Sequence, residues 1–167
     1  YSDFVCPFCG RFAQDTWPTL DAKYVQSGKV QVAFRHFPLE AIHKSALNAA
    51  EAAECAGQQG QFWRMHDLLF ANQQQLASSD LARYAGQIHL KRQAFDSCLS
   101  ATTATAKVRA DAATGSALGV TGTPTFFIGA VQQDGKVKVL GRLSGARPVG
   151  DFEAAVDKAI GLSAAPR

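Results

Sequence analysis

The chain has 167 residues, of which 47% are hydrophobic, and carries a formal net charge of +3. This length and composition suit one domain with a sizeable buried core. No run of Lys or Arg marks a nucleic-acid partner, and no apolar stretch reaches the ~18 residues that span a bilayer.

The chain begins with Tyr1-Ser2-Asp3-Phe4-Val5, which is typical of the end of a strand, and Cys6 follows directly. No initiator Met, basic region or apolar leader precedes it, as expected of a processed or excised segment, so the sequence does not argue against secretion. Because the chain starts at what resembles the end of a strand, we expect the N-terminal strand of the domain to be missing or truncated.

The next segment predicts a helix and then a strand. Pro7 suits the first turn of a helix, where its missing N–H would be unpaired anyway. Apolar residues at helical spacing predict a helix over about 7–26, with a kink near 14–17 caused by Pro18. Alternating apolar and polar residues then predict a strand over 29–37.

An Ala-rich region from about Lys44 to Leu118 contains no proline and almost no strand signal. Because Ala has a high helix propensity, the region predicts a helical block. The predicted helices cover about 44–58, 61–73, 80–87, 92–99 and 103–118. The dense apolar residues of Phe62–Phe70 are more typical of a core than of a binding site.

The last part of the chain predicts two strands and a helix. Residues 125–128 predict a short buried strand, Asp134-Gly135 a hairpin turn and 136–140 the returning strand. Residues 149–160 predict a closing helix. The order of elements favours a parallel pair joined by a right-handed crossover, plus the antiparallel hairpin. The predicted class is α/β, with a mixed β-sheet flanked by helices and a helical insertion.

The motif Cys6-Pro7-Phe8-Cys9 stands where a strand gives way to a helix. At a helix N-terminus, unpaired N–H groups and the helix dipole stabilise a thiolate and lower its pKa. The thiolate is the species that attacks a disulfide. We therefore assign Cys6 as the nucleophile and Cys9 as the resolving thiol.

Zinc binding and a static structural disulfide are the alternatives for this pair. A structural zinc site usually takes four ligands, often from two such pairs. Here Cys55 and Cys98 stand apart, and the histidines at positions 36, 43, 66 and 89 have no metal-like spacing, so no metal is predicted. A redox-active pair is the favoured interpretation.

Three segments resemble the DsbA-like branch of the thioredoxin superfamily. They are YSDFVCPFC at 1–9, RHFPL at 35–39 and GTPTFFI at 122–128. The resemblance covers nearly the whole chain. It implies a thioredoxin fold with an inserted α-helical domain, with the fold formed by 1–43 and 119–167 and the insertion by 44–118.

The resemblance also implies the neighbours of the active cysteines. Thr123 and Pro124 match the family's cis-proline loop, in which the backbone of Thr123 can pair with an extended substrate strand. An ordinary strand-entry proline is the alternative. Pro7 and Phe8 lie between the cysteines, and Phe8 either binds apolar substrate segments or is partly buried under the helical block.

Two features depart from the family. Its strongly oxidising member has His where this chain has Phe8, which cannot donate a hydrogen bond to the thiolate. The family's acidic residue six positions before the first cysteine would precede Tyr1, and Asp3 is too near Cys6 to be taken as its equivalent. Weaker stabilisation of the thiolate is therefore expected.

Pairs similar to Cys55 and Cys98 form a second, structural disulfide in some DsbA-like proteins. The resemblance therefore implies a Cys55–Cys98 bond. Two buried free thiols, or a second redox centre, are the alternatives.

The function implied by the resemblance is a dithiol oxidase that introduces disulfides into reduced, partly unfolded secreted or periplasmic proteins. A membrane or soluble redox partner would reoxidise the cysteines, and no cofactor is expected besides the Cys6–Cys9 disulfide itself. A reductase or isomerase, and a non-catalytic binding module of the same fold, are the alternatives. A monomer outside the cytoplasm is expected, either free or membrane-anchored in the full-length protein.

Overall fold

The computed structural model describes residues 1–164, and its elements follow the predicted order with one exception. The helices are α1 (Pro7–Arg11), α2 (Trp17–Leu20), α3 (Ala46–Gly57), α4 (Phe62–Ala71), α5 (Ser78–Gln87), α6 (Arg92–Ser100), α7 (Thr102–Ala117) and α8 (Val149–Ala164). The strands are β1 (Thr125–Val131) and β2 (Val137–Ser144). Within the described residues, no helix combines the length and the apolar character needed to cross a membrane.

The first helical segment is continuous, but α and π turns alternate along it. A π-helical stretch, Phe12–Thr16, separates α1 from α2, and a second one, Asp21–Val25, follows α2. Pro18 has no N–H to donate and its ring crowds the preceding turn, which accounts for a wider turn just before it. The predicted kink near 14–17 corresponds to this place.

The predicted strand over 29–37 is wrong for most of its length. Only His36 forms a bridge, a single parallel pair with Ser2. The Ser2 N–H donates to the Arg35 carbonyl and the Phe37 N–H to the Ser2 carbonyl, each at 2.9 Å. A strand needs a partner of similar length, but the neighbouring segment becomes a helix at Pro7. The alternating segment therefore forms no hydrogen-bonded ladder beyond this one bridge.

The N-terminal residues connect this extended segment to the hairpin. The Tyr1 nitrogen donates to the Thr125 carbonyl at 2.7 Å, and the Thr125 N–H donates to the Tyr1 carbonyl at 3.0 Å. Tyr1 and Ser2 therefore lie between His36 and β1, with one parallel and one antiparallel neighbour. Cys6 therefore follows the N-terminal segment that lies in the middle of this mixed arrangement.

The hairpin of β1 and β2 is longer than predicted and contains a bulge. The strands are antiparallel, with an irregularity between Ile128 and Gly129. A Cβ at Gly129 would lie 2.5 Å from the Lys138 carbonyl oxygen, so the close approach requires glycine. The predicted turn at Asp134-Gly135 is present, with Gly135 at φ 77°.

Two hydrophobic clusters hold the active-site segment from opposite sides. The larger contains Phe4, the two cysteines of the motif and the inward faces of the helical block. Phe4 stacks on Phe34 with ring centroids 5.2 Å apart. The smaller cluster contains Tyr24 and Phe152, and joins the first helical segment to the hairpin and α8. The helix that follows Cys6 is therefore packed between the helical block and the sheet.

The helical block consists of α3 to α7, as the Ala-rich region predicted. Six alanines of α3 are buried and let neighbouring helices approach closely: Ala46, Ala49, Ala50, Ala52, Ala53 and Ala56. Cys55 of α3 is bonded to Cys98 of α6, with a Cα–Cα distance of 5.7 Å. The second disulfide implied by the resemblance is thus present, and it links two helices of the block.

Candidate active site

The two cysteines of the motif lie at the first turn of the active-site helix. Cys6 is the N-cap residue, with extended backbone dihedrals, and Pro7 is the first helical residue. The Cys6 carbonyl accepts the Gly10 N–H at 3.1 Å, and this hydrogen bond begins the helix. Cys6 and Cys9 are free thiols, and only 4% and 1% of their respective surfaces are exposed.

The environment of Cys6 strongly favours its thiolate. The pKa of Cys6 is lowered from 9.0 to about 5, and the largest contribution is a hydrogen bond from the Cys9 thiol, against the opposing effect of burial. The Thr123 side chain and the backbone N–H groups of Cys9 and Phe8 act in the same direction. These N–H groups are the unpaired donors of a helix N-terminus, as the sequence predicted.

Cys9 behaves in the opposite way. Burial raises the pKa of Cys9 well above its ordinary 9.0, and the hydrogen bond that it makes with Cys6 raises it further. At neutral pH Cys9 is therefore a protonated thiol beside a thiolate. This asymmetry agrees with the predicted roles of the two cysteines.

The Thr123–Pro124 loop lies against the first cysteine. Its peptide bond is cis, and the Cys6 thiol donates to the Thr123 carbonyl at 3.4 Å. The Thr125 hydroxyl donates to the Gly122 carbonyl at 2.7 Å and steadies the loop. The Thr123 hydroxyl oxygen is buried and has no hydrogen-bond partner among the described residues while Cys6 is a thiol. It is available to a thiolate.

Phe8 is the exposed member of the motif. It is not buried under the helical block, since 52% of its surface is accessible, and this leaves the ring free for apolar substrate segments. The Arg11 guanidinium lies 5.5 Å from the centre of its ring. An apolar ring with a cationic neighbour thus stands beside the reactive sulfur.

Asp3 is too near Cys6 to match the family's acidic residue, but it holds the turn that carries Cys6. Its buried carboxylate accepts the N–H groups of Val5 and Leu39, each at 2.8 Å, and lies 2.7 Å from His43 Nδ1. Its carbonyl accepts the Cys6 N–H at 3.2 Å. The signal of this role in the sequence is an acidic residue in a segment that is otherwise expected to be buried, because a buried carboxylate needs such donors.

A second polar cluster joins the extended segment that contains His36 to α3 and α7. His36, Glu54 and Asp111 each bring one potential metal-ligand atom to within 4.8 Å of the others. Asp111 is already paired with Arg35 at 3.0 Å and with Lys107 at 2.5 Å. These two cations supply the positive charge that a metal would bring, so the cluster is accounted for as an ion-pair network.

The first prediction concerns the pH dependence of the reduced protein. With the pKa of Cys6 at about 5, roughly nine-tenths of this residue is thiolate at pH 6, whereas Cys9 stays protonated. Brief alkylation with iodoacetamide at pH 6, followed by peptide mass spectrometry, should therefore modify Cys6 first. The labelling rate should fall as the pH drops through 5. Preferential modification of Cys9 would reverse the assigned roles.

Comparison with known proteins places this geometry in a family. Residues 1–141 match the family model Thioredoxin_4, described as thioredoxin. The chain is similar to α-DsbA1 of Wolbachia pipientis, with a TM-score of 0.78, 24% identity, and coverage of 98% of this chain and 84% of that one. It is also similar to DsbA2 of Pseudomonas aeruginosa, with a TM-score of 0.71, 25% identity, and coverage of 95% and 85%.

A further similarity is to a much longer protein. The Na(+)/H(+) antiporter NhaA 3 of Salinispora tropica is 37% identical over 139 residues, which is 83% of this chain and 21% of the antiporter. The chain thus spans about a fifth of the length of such relatives. The family model covers most of the chain, and the folds agree over nearly its full length. The chain therefore belongs to the thioredoxin family, and its architecture is that of the DsbA-like branch.

Proposed function

We propose that the protein is a thiol–disulfide oxidoreductase that acts as a dithiol oxidase on reduced, partly unfolded proteins. One observation carries the proposal. A stabilised Cys6 thiolate and a protonated Cys9 stand one helical turn apart, beside the Thr123–Pro124 loop and an exposed Phe8. This arrangement has the parts that dithiol–disulfide exchange needs.

The proposed reaction starts from the Cys6–Cys9 disulfide. A substrate thiolate attacks Cys6 Sγ, the bond between the cysteines breaks, and Cys9 leaves and takes up a proton. The substrate's second thiolate then attacks the substrate sulfur that is bonded to Cys6, and Cys6 leaves as a thiolate. Two electrons pass from the substrate to the protein. A low leaving-group pKa speeds the second step, which is where the environment of Cys6 contributes.

The same environment favours electron flow from substrate to protein. The oxidised protein has no thiolate to stabilise, so a low Cys6 pKa favours the reduced form and makes the disulfide oxidising. Because the folded-state pKa is depressed, this contribution is complete above pH 9 and is lost as the pH falls through about 5. At pH 7, midway between these two values, about half of it is present.

The deciding experiment measures both turnover and potential. Oxidised protein mixed with a reduced dithiol peptide should yield one peptide disulfide for every two protein thiols that form. Equilibration with glutathione should give a reduction potential between about −120 mV, as in DsbA, and about −270 mV, as in thioredoxin. A value at the thioredoxin end would favour the reductase alternative. Failure to oxidise any dithiol would favour the non-catalytic binding module.

A second prediction concerns the residue between the cysteines. Phe8→His places a potential hydrogen-bond donor beside the Cys6 thiolate, where the phenyl ring has none. The reduction potential should rise by about 30 mV for each unit by which the pKa of Cys6 falls. Phe8→Leu, which adds no donor, is the matched control. If glutathione equilibration gives the same potential for Phe8→His and the wild type, this side chain does not tune the thiolate.

We further propose that the protein works outside the cytoplasm with a partner that reoxidises its cysteines. The Cys55–Cys98 disulfide supports this location, since such bonds persist in oxidising compartments. The similarity to part of a membrane antiporter supports a membrane-attached form as the alternative to a free one. Fractionation of cells that produce the full-length protein would separate the two.

A further inference from the structure

A glutamine of the helical block contacts the backbone on both sides of the active-site turn. Gln73 lies just after the C-terminus of α4, and it is half-buried. Its Nε2 donates to the Phe4 carbonyl at 2.8 Å and to the Cys6 carbonyl at 2.9 Å. A primary amide has two N–H donors, and both are used on the segment that ends at the reactive cysteine.

Gly10 makes room for this side chain. A Cβ at Gly10 would lie 2.2 Å from Gln73 Oε1 and 2.8 Å from its Cδ, and the glycine is buried within α1. Glycine inside a helix is less favourable than alanine, because it loses more backbone freedom on folding. The glycine one residue after Cys9 is accounted for by the space that Gln73 occupies.

A second amide crosses the same boundary in the opposite direction. Gln14, in the π-helical stretch of the active-site segment, donates through Nε2 to the Phe70 carbonyl of α4 at 3.0 Å. The active-site helix and the C-terminal end of α4 are therefore connected at two points. Of these two amides, Gln73 is the one that bonds to the Phe4 and Cys6 backbone.

We propose that Gln73 is a positioning residue for Cys6, and that the helical block controls the reactivity of this cysteine through it. The thiolate is stabilised by N–H groups of the first helical turn and by the Thr123 side chain, so it depends on where the Cys6 backbone is held. Gln73 holds that backbone from outside the helix. The consequence for turnover rests on the proposed oxidoreductase function, whereas the effect on the thiol does not.

The test replaces the amide by a side chain of similar length. Gln73→Met fills the space beside Gly10 but donates no hydrogen bond. We expect the Cys6 pKa, measured from the thiolate absorbance of the reduced protein, to rise by about one unit, so that the thiolate fraction at pH 5 falls about fivefold. The reduction potential should fall with it, because the reduced form is then less stabilised.

Gln59→Met is the matched control. Gln59 is also half-buried in the helical block and also bridges backbone groups, accepting the Lys91 N–H at 2.8 Å and donating to the Lys91 carbonyl at 3.4 Å. It should lower the melting temperature without changing the Cys6 pKa. If Gln73→Met does the same, Gln73 is merely structural and the proposal is overturned.

Gly10→Ala tests the same contact from the other side. Its added methyl group displaces Gln73, so it should shift the Cys6 pKa as Gln73→Met does. The double variant should then shift the pKa no further, since both changes break one interaction. Fully additive shifts would overturn the proposal. A wild type with a low Cys6 pKa but no dithiol oxidation would refute the proposed function alone, because the Gln73 effect is read from the thiol.

Discussion

Replacing Cys6 by serine should reduce the rate of dithiol oxidation by at least about a thousandfold, because no other described thiol can take its place. The remaining free thiol, Cys9, is buried and protonated at neutral pH, and Cys55 and Cys98 are bonded to each other. The measurement is the oxidation of a reduced dithiol peptide under excess oxidised glutathione, followed by mass spectrometry.

Cys9→Ser is the matched variant, and its behaviour should differ. It also cannot form the internal disulfide, but its Cys6 thiolate remains exchangeable. We expect it to accumulate a mixed disulfide with glutathione or with the peptide, released by dithiothreitol, which Cys6→Ser should not form. Mixed-disulfide formation through Cys9 in the Cys6→Ser variant would contradict the assigned roles.

Removing the second disulfide should lower the stability of the oxidised protein substantially. Cys55 and Cys98 are separated by 43 positions, and closing a loop of this length stabilises a fold by about 4 kcal/mol in the chain-entropy model. For a domain of this size the melting temperature should fall by about 8–16 °C in the Cys55→Ala, Cys98→Ala double variant. Circular dichroism of the oxidised protein measures this.

Activity separates the roles that this disulfide could have. Both residues lie in the helical block, in α3 and α6, and neither is among the main influences on the pKa of Cys6 or Cys9. We therefore expect Cys6-dependent exchange to stay close to the wild-type rate in the double variant at a temperature well below its melting point. Retained stability with loss of exchange would instead indicate a second redox centre that relays electrons.

The parts of this protein that the sequence determined are those governed by local chemistry. Two cysteines three residues apart, with Pro7 between them at a helix start, are sufficient to predict a stabilised thiolate. The Ala-rich region determined the helices of the block, and Asp134-Gly135 the hairpin turn. Each of these depends on the residues of one helical turn or one β-turn, so a linear pattern contains the necessary information.

Contacts between distant segments were decided by the tertiary structure. The alternating residues of 29–37 look like a strand, yet only His36 finds a paired neighbour. Asp3 reads as one acid near a cysteine, and only the fold brings Leu39 and His43 to its carboxylate. Gln73 has no distinguishing sequence context at all, because its partners Phe4 and Cys6 lie more than sixty positions away. Hydrogen bonds of this kind require two backbones held in one place, and packing of the whole chain alone provides that.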